Sequence, residues 1–122
     1  MLIADDEIEF AATLVARLNL RNFAATMVNS GKAALLAVKE QQPDVLVLDL
    51  KMPDLDGLEV LADLQKSNPK LAVIILTGHG SFEAGRQGME LGAYDYIMKP
   101  VDLNLLIGKV ESAFLAVKNK GK

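Results

Sequence analysis

"VLVLDLKMPDLDG", residues 45–57, decides the fold. Val45, Leu46, Val47 and Leu48 are four consecutive apolar residues. A strand with one wet face would alternate. A continuous apolar run reads as a strand buried on both faces, as in a parallel sheet covered by helices. The run ends on a carboxylate, Asp49. Met52, Pro53 and Asp56-Gly57 follow, with the composition of a turn. Ligands of open parallel sheets bind outside the carboxyl ends of the strands. An acid at the end of a buried strand therefore stands where chemistry is expected.

Four more apolar runs flank this one: "LIA" at 2–4, "AATMV" at 24–28, "AVIIL" at 72–76 and "YDYIM" at 94–98. Helical patterns separate them. Phe10, Leu14, Val15 and Leu18 form one stripe. Ala33, Leu36 and Ala37 form a second, and Leu58, Leu61, Ala62 and Leu64 a third. Leu105, Leu106, Val110, Ala113, Phe114 and Val117 make the last and clearest. Asp6-x-x-Glu9 and Asp56-x-x-Glu59 resemble capping boxes, and Ser30, Ser81 and Asp102 are candidate N-caps. Gln42-Pro43 and Asn68-Pro69 stop two of the helices, because the residue before proline avoids the helical region. The stretch 81–91 is the weakest helix, since Gly85 and Gly88 each cost about 1 kcal/mol relative to alanine. Strict alternation implies an α/β domain with right-handed crossovers and helices on both faces of a parallel sheet.

The bulk properties narrow the class. At 122 residues the chain is one domain, read as 1–118 with 119–122 as a tail or the start of a linker. A content of 51% hydrophobic and 24% charged residues is ordinary for a globular protein. The net charge of −3 leaves no basic footprint for direct nucleic-acid binding, and the lysines of "VKNKGK" read as solvated. With no cysteine there are no disulfides and no thiol catalysis. No apolar run approaches the roughly 20 residues that span a bilayer, and no signal-peptide pattern is present. A cytoplasmic domain without a membrane partner is expected.

The polar residues after each run collect at one sheet edge. Asp5 and Asp6 follow the first run, Asp49 the third, Thr77-Gly78-His79-Gly80 the fourth and Lys99-Pro100 the fifth. Each has a plain reading alone: acids suited to a helix start, a strand-end acid, a strand-end hydroxyl, a solvated lysine. Together they have another. Two like charges 4 Å apart repel by about 4 kcal/mol at an effective dielectric near 20, so clustered acids need a counter-charge. Oxygen donors suit Mg²⁺, or another divalent cation such as Mn²⁺. A carboxylate beside such an ion, a lysine and a hydroxyl forms a phosphoryl-transfer site, with the carboxylate as nucleophile.

"ADDE" at 4–7, "DLKMPDLDG" at 49–57, "LTGHG" at 76–80 and "YDYIMKP" at 94–100 resemble the receiver domain of two-component response regulators over essentially the whole chain. The resemblance implies a flavodoxin-like (βα)5 fold, a doubly wound five-stranded parallel sheet in order 2-1-3-4-5. It implies Asp49 as phospho-acceptor, with Asp6 and Asp49 as direct metal ligands, Asp5 acting through water, and the Lys51 carbonyl as third protein ligand. Thr77 matches the switch hydroxyl, Tyr96 the switch aromatic and Lys99 the phosphate-pairing lysine, with a cis Lys99–Pro100 bond. The implied partner is a sensor histidine kinase, and an output domain outside this chain is expected. The implied output face is 81–118, with a possible homodimer through it. Gly78 stands where alanine is commoner in the family, which could loosen that loop. Lys51 and His79 fall at positions that tune phosphoryl lifetime. His79 is otherwise a solvent-facing loop residue. The domain is not expected to be an enzyme beyond its own phosphorylation and dephosphorylation.

Three rivals share parts of this pattern. A haloacid dehalogenase-type phosphatase wants a second aspartate two residues after the nucleophile, where this chain has Lys51. A flavin module wants a Ser/Thr/Gly-rich loop after the first strand, where this chain has "DDEIEF". A pseudo-receiver that acts only as an interaction surface would not need the complete set of site residues.

Overall fold

Strands and helices alternate through residues 1–78 and 82–120, which the computed structural model describes, the side chain of Lys120 excepted. The elements are β1 (Leu2–Ala4), α1 (Ile8–Leu20), β2 (Thr26–Val28), α2 (Gly31–Gln41), β3 (Val45–Asp49), α3 (Gly57–Ser67), β4 (Ala72–Thr77), α4 (Phe82–Glu90), β5 (Asp95–Met98) and α5 (Leu103–Lys120). All pairings are parallel and the strand order is β2-β1-β3-β4-β5, as the resemblance implies. None of the described helices is long and apolar enough to cross a membrane.

The continuous apolar runs do become two-sided strands. Every residue of β3 and β4 is buried. The strand period of two splits their side chains between two cores. Leu46, Leu48, Val73 and Ile75 meet α2 and α3 on one face. Val45, Val47, Ile74 and Leu76 meet α1 and α5 on the other. At about 25 cal/mol per Å² of apolar surface, these two cores supply the main driving force of the fold. β2 lies at a sheet edge with no fully buried residue, and it covers 26–28 of its apolar run.

Local signals held in most places. Ser30 Oγ accepts from Ala33 N–H, Asp56 Oδ1 from Leu58 N–H, and Asp102 Oδ1 from Asn104 and Leu105 N–H. Gln42 and Asn68, each before a proline, close α2 and α3. Three readings change. The N-cap of α1 is Glu7, not Asp6, and no side chain caps it; Asp5 Oδ1 takes the Glu7 N–H instead. The buried face of α2 is Gly31, Ala34, Ala37 and Val38, while Leu36 is exposed, because Gly31 packs under Leu55 and so sets the rotation of the helix. Leu105 lies on the outer side of the first turn of α5 and is exposed. α5 runs to Lys120, and Lys118 rests over the Phe114 ring and pairs with Asp44. Ser81 and His79 lie outside the described residues.

The glycines of α4 are contact positions. A Cβ on Gly88 would stand 2.2 Å from Ile75 Cδ1, and one on Gly85 would stand 2.8 Å from the Tyr96 ring. Their helix-propensity cost is exchanged for close approach to the sheet.

Candidate functional site

Register assembles the site. Ala4 pairs with Leu48, so Asp5 and Asp49, the next residues of their strands, lie side by side. Asp49 pairs with Leu76, which puts Thr77 one step beyond. Thr77 pairs with Met98, which puts Lys99 one step beyond that, and Lys99 N–H donates to Thr77 O at 2.9 Å. The Lys99–Pro100 bond is cis, as the resemblance implies.

Asp5, Asp49 and Thr77 are the buried polar residues among those described. Asp49 is 2% exposed. Its Oδ1 accepts from Lys51 N–H at 3.0 Å, and its Oδ2 accepts from the Lys99 ammonium at 3.0 Å. Lys99 also reaches Glu7 Oε1 at 2.9 Å and stands 4.0 Å from Asp5 Oδ2. Asp5 is fully buried and its backbone carbonyl accepts from Asn29 Nδ2. Asp5 Oδ2 and Thr77 Oγ1 have no hydrogen-bond partner among the described residues. Asp6 is exposed at the rim.

Electrostatics follow from burial. Burial pushes the Asp5 carboxyl from its ordinary 3.8 up to about 7. The bond from Glu7 N–H pulls the other way, and the Asp49 charge adds to the rise. Burial alone would lower the Lys99 pKa. The hydrogen bonds to Glu7 and Asp49, with the charges of Asp49 and Asp5, outweigh it, so Lys99 is held firmly charged.

The carboxylates of Asp5, Asp6 and Asp49 each offer an oxygen, and these oxygens lie within 4.8 Å of one another. The donor set is oxygen only and it includes one buried oxygen without a partner. It carries three acids against one shared lysine. Those features fit a hard divalent cation that keeps waters.

The structure thus brings together Asp5, Asp6, Asp49, Thr77 and Lys99. Lys51 joins through its backbone, while its exposed side chain extends along Gly78, where a Cβ would stand 2.9 Å from Nζ. Gly78 therefore leaves the space that Lys51 fills. Tyr96 is not in the acid cluster; it packs against Gly85 of α4. Glu7 is the site residue that the sequence reading left out. Its signal was present as the third acid of "ADDE". A cavity of about 700 Å³ lined by Val38, Pro43, Asp44, Leu71 and Lys118 lies at the amino ends of β3 and β4, away from all of these residues.

Comparison with known proteins identifies the family. The family model described as the response regulator receiver domain matches residues 1–111. The transcriptional regulatory protein ZraR of Escherichia coli is 34% identical over 113 residues, 93% of this chain and 26% of that protein. The DNA-binding transcriptional regulator NtrC of Klebsiella pneumoniae is 34% identical over 111 residues, 91% of this chain and 24% of that protein. The chain thus spans about a quarter of these relatives. Among solved structures, the receiver domain of the Francisella response regulator 1452 superposes with a TM-score of 0.87 at 33% identity, covering 94% of this chain and 95% of that one. The receiver domain of NtrX from Brucella abortus gives 0.86 at 30% identity, covering 93% and 96%. The chain belongs to the response regulator receiver family, the phosphoryl-accepting signalling domains of two-component systems.

Proposed function

We propose that Asp49 is the phospho-acceptor and that a sensor histidine kinase supplies the phosphoryl group. The observation that supports this reading most is the 3.0 Å pair between Asp49 Oδ2 and the Lys99 ammonium at the end of a buried strand. A carboxylate oxygen of Asp49 attacks the phosphorus of the partner's phosphohistidine in line. The P–O bond forms as the P–N bond breaks, and the imidazole leaves. Lys99, charged before the donor arrives, offsets the charge on the transferring oxygens. Asp6, Asp49 and the Lys51 carbonyl would hold Mg²⁺ or Mn²⁺, with Asp5 acting through water. When bound, the cation supplies further positive charge at those oxygens.

Thr77 then turns its hydroxyl to the phosphoryl group, and Tyr96 moves into the space it leaves. The switch acts on a pre-existing equilibrium of the 81–118 face. The exposure of Phe82, Tyr94 and Leu105 along that face supports a partner there, either an output domain or a second copy. Light scattering with and without beryllofluoride reads the second copy directly, and an unchanged mass contradicts it. Residues 1–118 are taken as the functional unit, working in the cytoplasm without direct nucleic-acid contact. No turnover of an external substrate is proposed beyond the domain's own phosphorylation and dephosphorylation.

Intact mass after incubation with acetyl phosphate and Mg²⁺ tests the proposal. A gain of one phosphoryl group, absent in Asp49→Asn and in chelator, is expected. No gain in a folded protein that binds Mg²⁺, from acetyl phosphate or from a panel of phosphorylated histidine kinases, would leave the domain as an interaction surface only; a gain from a kinase alone would show a strict kinase requirement.

A further inference from the structure

The loop between β3 and α3, residues 50–56, carries the peptide that fixes Asp49 and the carbonyl assigned to the metal. The sheet holds only its first residue, through Leu50 N–H to Leu76 O. Its far end closes at Gly57, where a Cβ would stand 2.5 Å from Leu50 Cα and 2.6 Å from Leu50 O. Its middle is tied to a different element. Asp54 Oδ1 accepts from Gly31 N–H at 2.9 Å, and Asp54 Oδ2 accepts from Lys32 N–H at 3.0 Å. Both donors belong to the first turn of α2, where N–H groups have no partner inside the helix. Leu55 packs beside them, its own Cβ 2.9 Å from where a Cβ on Gly31 would stand. The two N–H bonds also hold the Asp54 carboxyl below the usual carboxylate range, so it is ionised at neutral pH.

α2 already has its own cap in Ser30, whose Oγ takes the Ala33 N–H at 3.1 Å. The Asp54 bonds take two further N–H groups of that turn and, by the same contacts, tie the loop to the helix. They anchor a segment that has no ladder partner beyond Leu50 among the described residues. We propose that Asp54 is a positioning residue for the phosphoryl site, clamping the 50–56 loop to the N-terminus of α2 so that the Lys51 carbonyl and the Asp49 carboxylate are preorganised for the cation. This rests on the reading of Asp49 as acceptor and extends it to a residue outside the acid cluster.

The experiment is a calorimetric Mg²⁺ titration of wild type, Asp54→Ala, Asp54→Asn and Ser30→Ala, with acetyl phosphate labelling followed by intact mass on the same samples. Asp54→Ala weakens Mg²⁺ binding about tenfold and slows labelling, because groups that orient metal ligands typically carry 10–100-fold of affinity. Asp54→Asn keeps one acceptor oxygen and gives a smaller loss. Ser30→Ala removes a cap from the same helix end, lowers stability and leaves the Mg²⁺ affinity unchanged. An Mg²⁺ affinity within about twofold of wild type in both Asp54 variants overturns the proposal, as does an equal loss in Ser30→Ala. If Asp54→Ala does not fold, the comparison of Asp54→Asn with Ser30→Ala decides it by the same rule. A wild-type protein that neither binds Mg²⁺ nor gains a phosphoryl group overturns the acceptor reading itself, and the clamp with it.

Discussion

Replacing Asp5 with asparagine should stabilise the cation-free domain, and the gain should grow with pH. Asp5 is fully buried, its Oδ2 has no partner among the described residues, and Asp49 is its neighbour. Burial raises its pKa from 3.8 to about 7, a value that already includes the pull of Lys99. The sign follows. Between these two values the folded state keeps a proton that the unfolded state has released. This contribution to stability is complete below 3.8 and is lost as pH rises through about 7. At 1.36 kcal/mol per tenfold, the ionisable group costs at most about 4 kcal/mol near pH 8 and about 2 kcal/mol near pH 5. Asparagine keeps the shape and the acceptor for Glu7 N–H but does not titrate. Urea unfolding in chelator, followed by circular dichroism, should put Asp5→Asn above wild type by roughly 2–4 kcal/mol near pH 8, and about half that near pH 5. With saturating Mg²⁺ the gap should narrow, because binding stabilises wild type more. A variant no more stable than wild type near pH 8, or a gap that shrinks as pH rises, would refute the account of Asp5 as a charge held under strain.

Three further outcomes are expected. Gly57→Ala should lose at least about 2 kcal/mol in urea, because its Cβ would meet Leu50 backbone atoms that cannot turn away. Gly85→Ala should gain about 1 kcal/mol on helix propensity alone, but the Tyr96 ring at 2.8 Å makes it destabilising. In a Tyr96→Ala background the same substitution should become favourable, and a double-mutant cycle without coupling would contradict that contact. Lys99→Met should slow acetyl phosphate labelling about 100-fold or more, yet tighten Mg²⁺ binding, because a cation competing for Asp49 is gone. Weaker Mg²⁺ binding in that variant would show that Lys99 organises the acids rather than merely balancing them.

The strands and the acid cluster were legible because both depend on local pattern. Val45–Leu48 is apolar without interruption, which suits a parallel strand buried on both faces. Parallel register then carries Asp5, Asp49, Thr77 and Lys99 to one edge without further information. The misreadings occur where tertiary contacts choose between equivalent local options. "DDE" offers three acids to cap one helix, and the register of β1 draws Asp5 into the sheet edge and leaves Glu7 at the cap position. "AALLAV" fits several helix rotations, and the contact of Gly31 with Leu55 selects the one that exposes Leu36. The bond of Glu7 to Lys99 spans 92 residues of chain, and that of Asp54 to Gly31 spans 23. Neither partner carries a local signature of the other. Gly78 reads as a loose point in the sequence and is a packing position in the structure, because Lys51 lies across it.

In the proposed mechanism Asp49 itself carries the phosphoryl group. Borohydride reduces an aspartyl phosphate to homoserine, so reduction after acetyl phosphate treatment, followed by peptide mass mapping, locates the phosphorylated carboxylate. Homoserine is expected at position 49 alone, formed with Mg²⁺ and absent in chelator. Homoserine at position 5 or 6, or none in a folded, Mg²⁺-loaded domain that also refuses phosphohistidine donors, would contradict it.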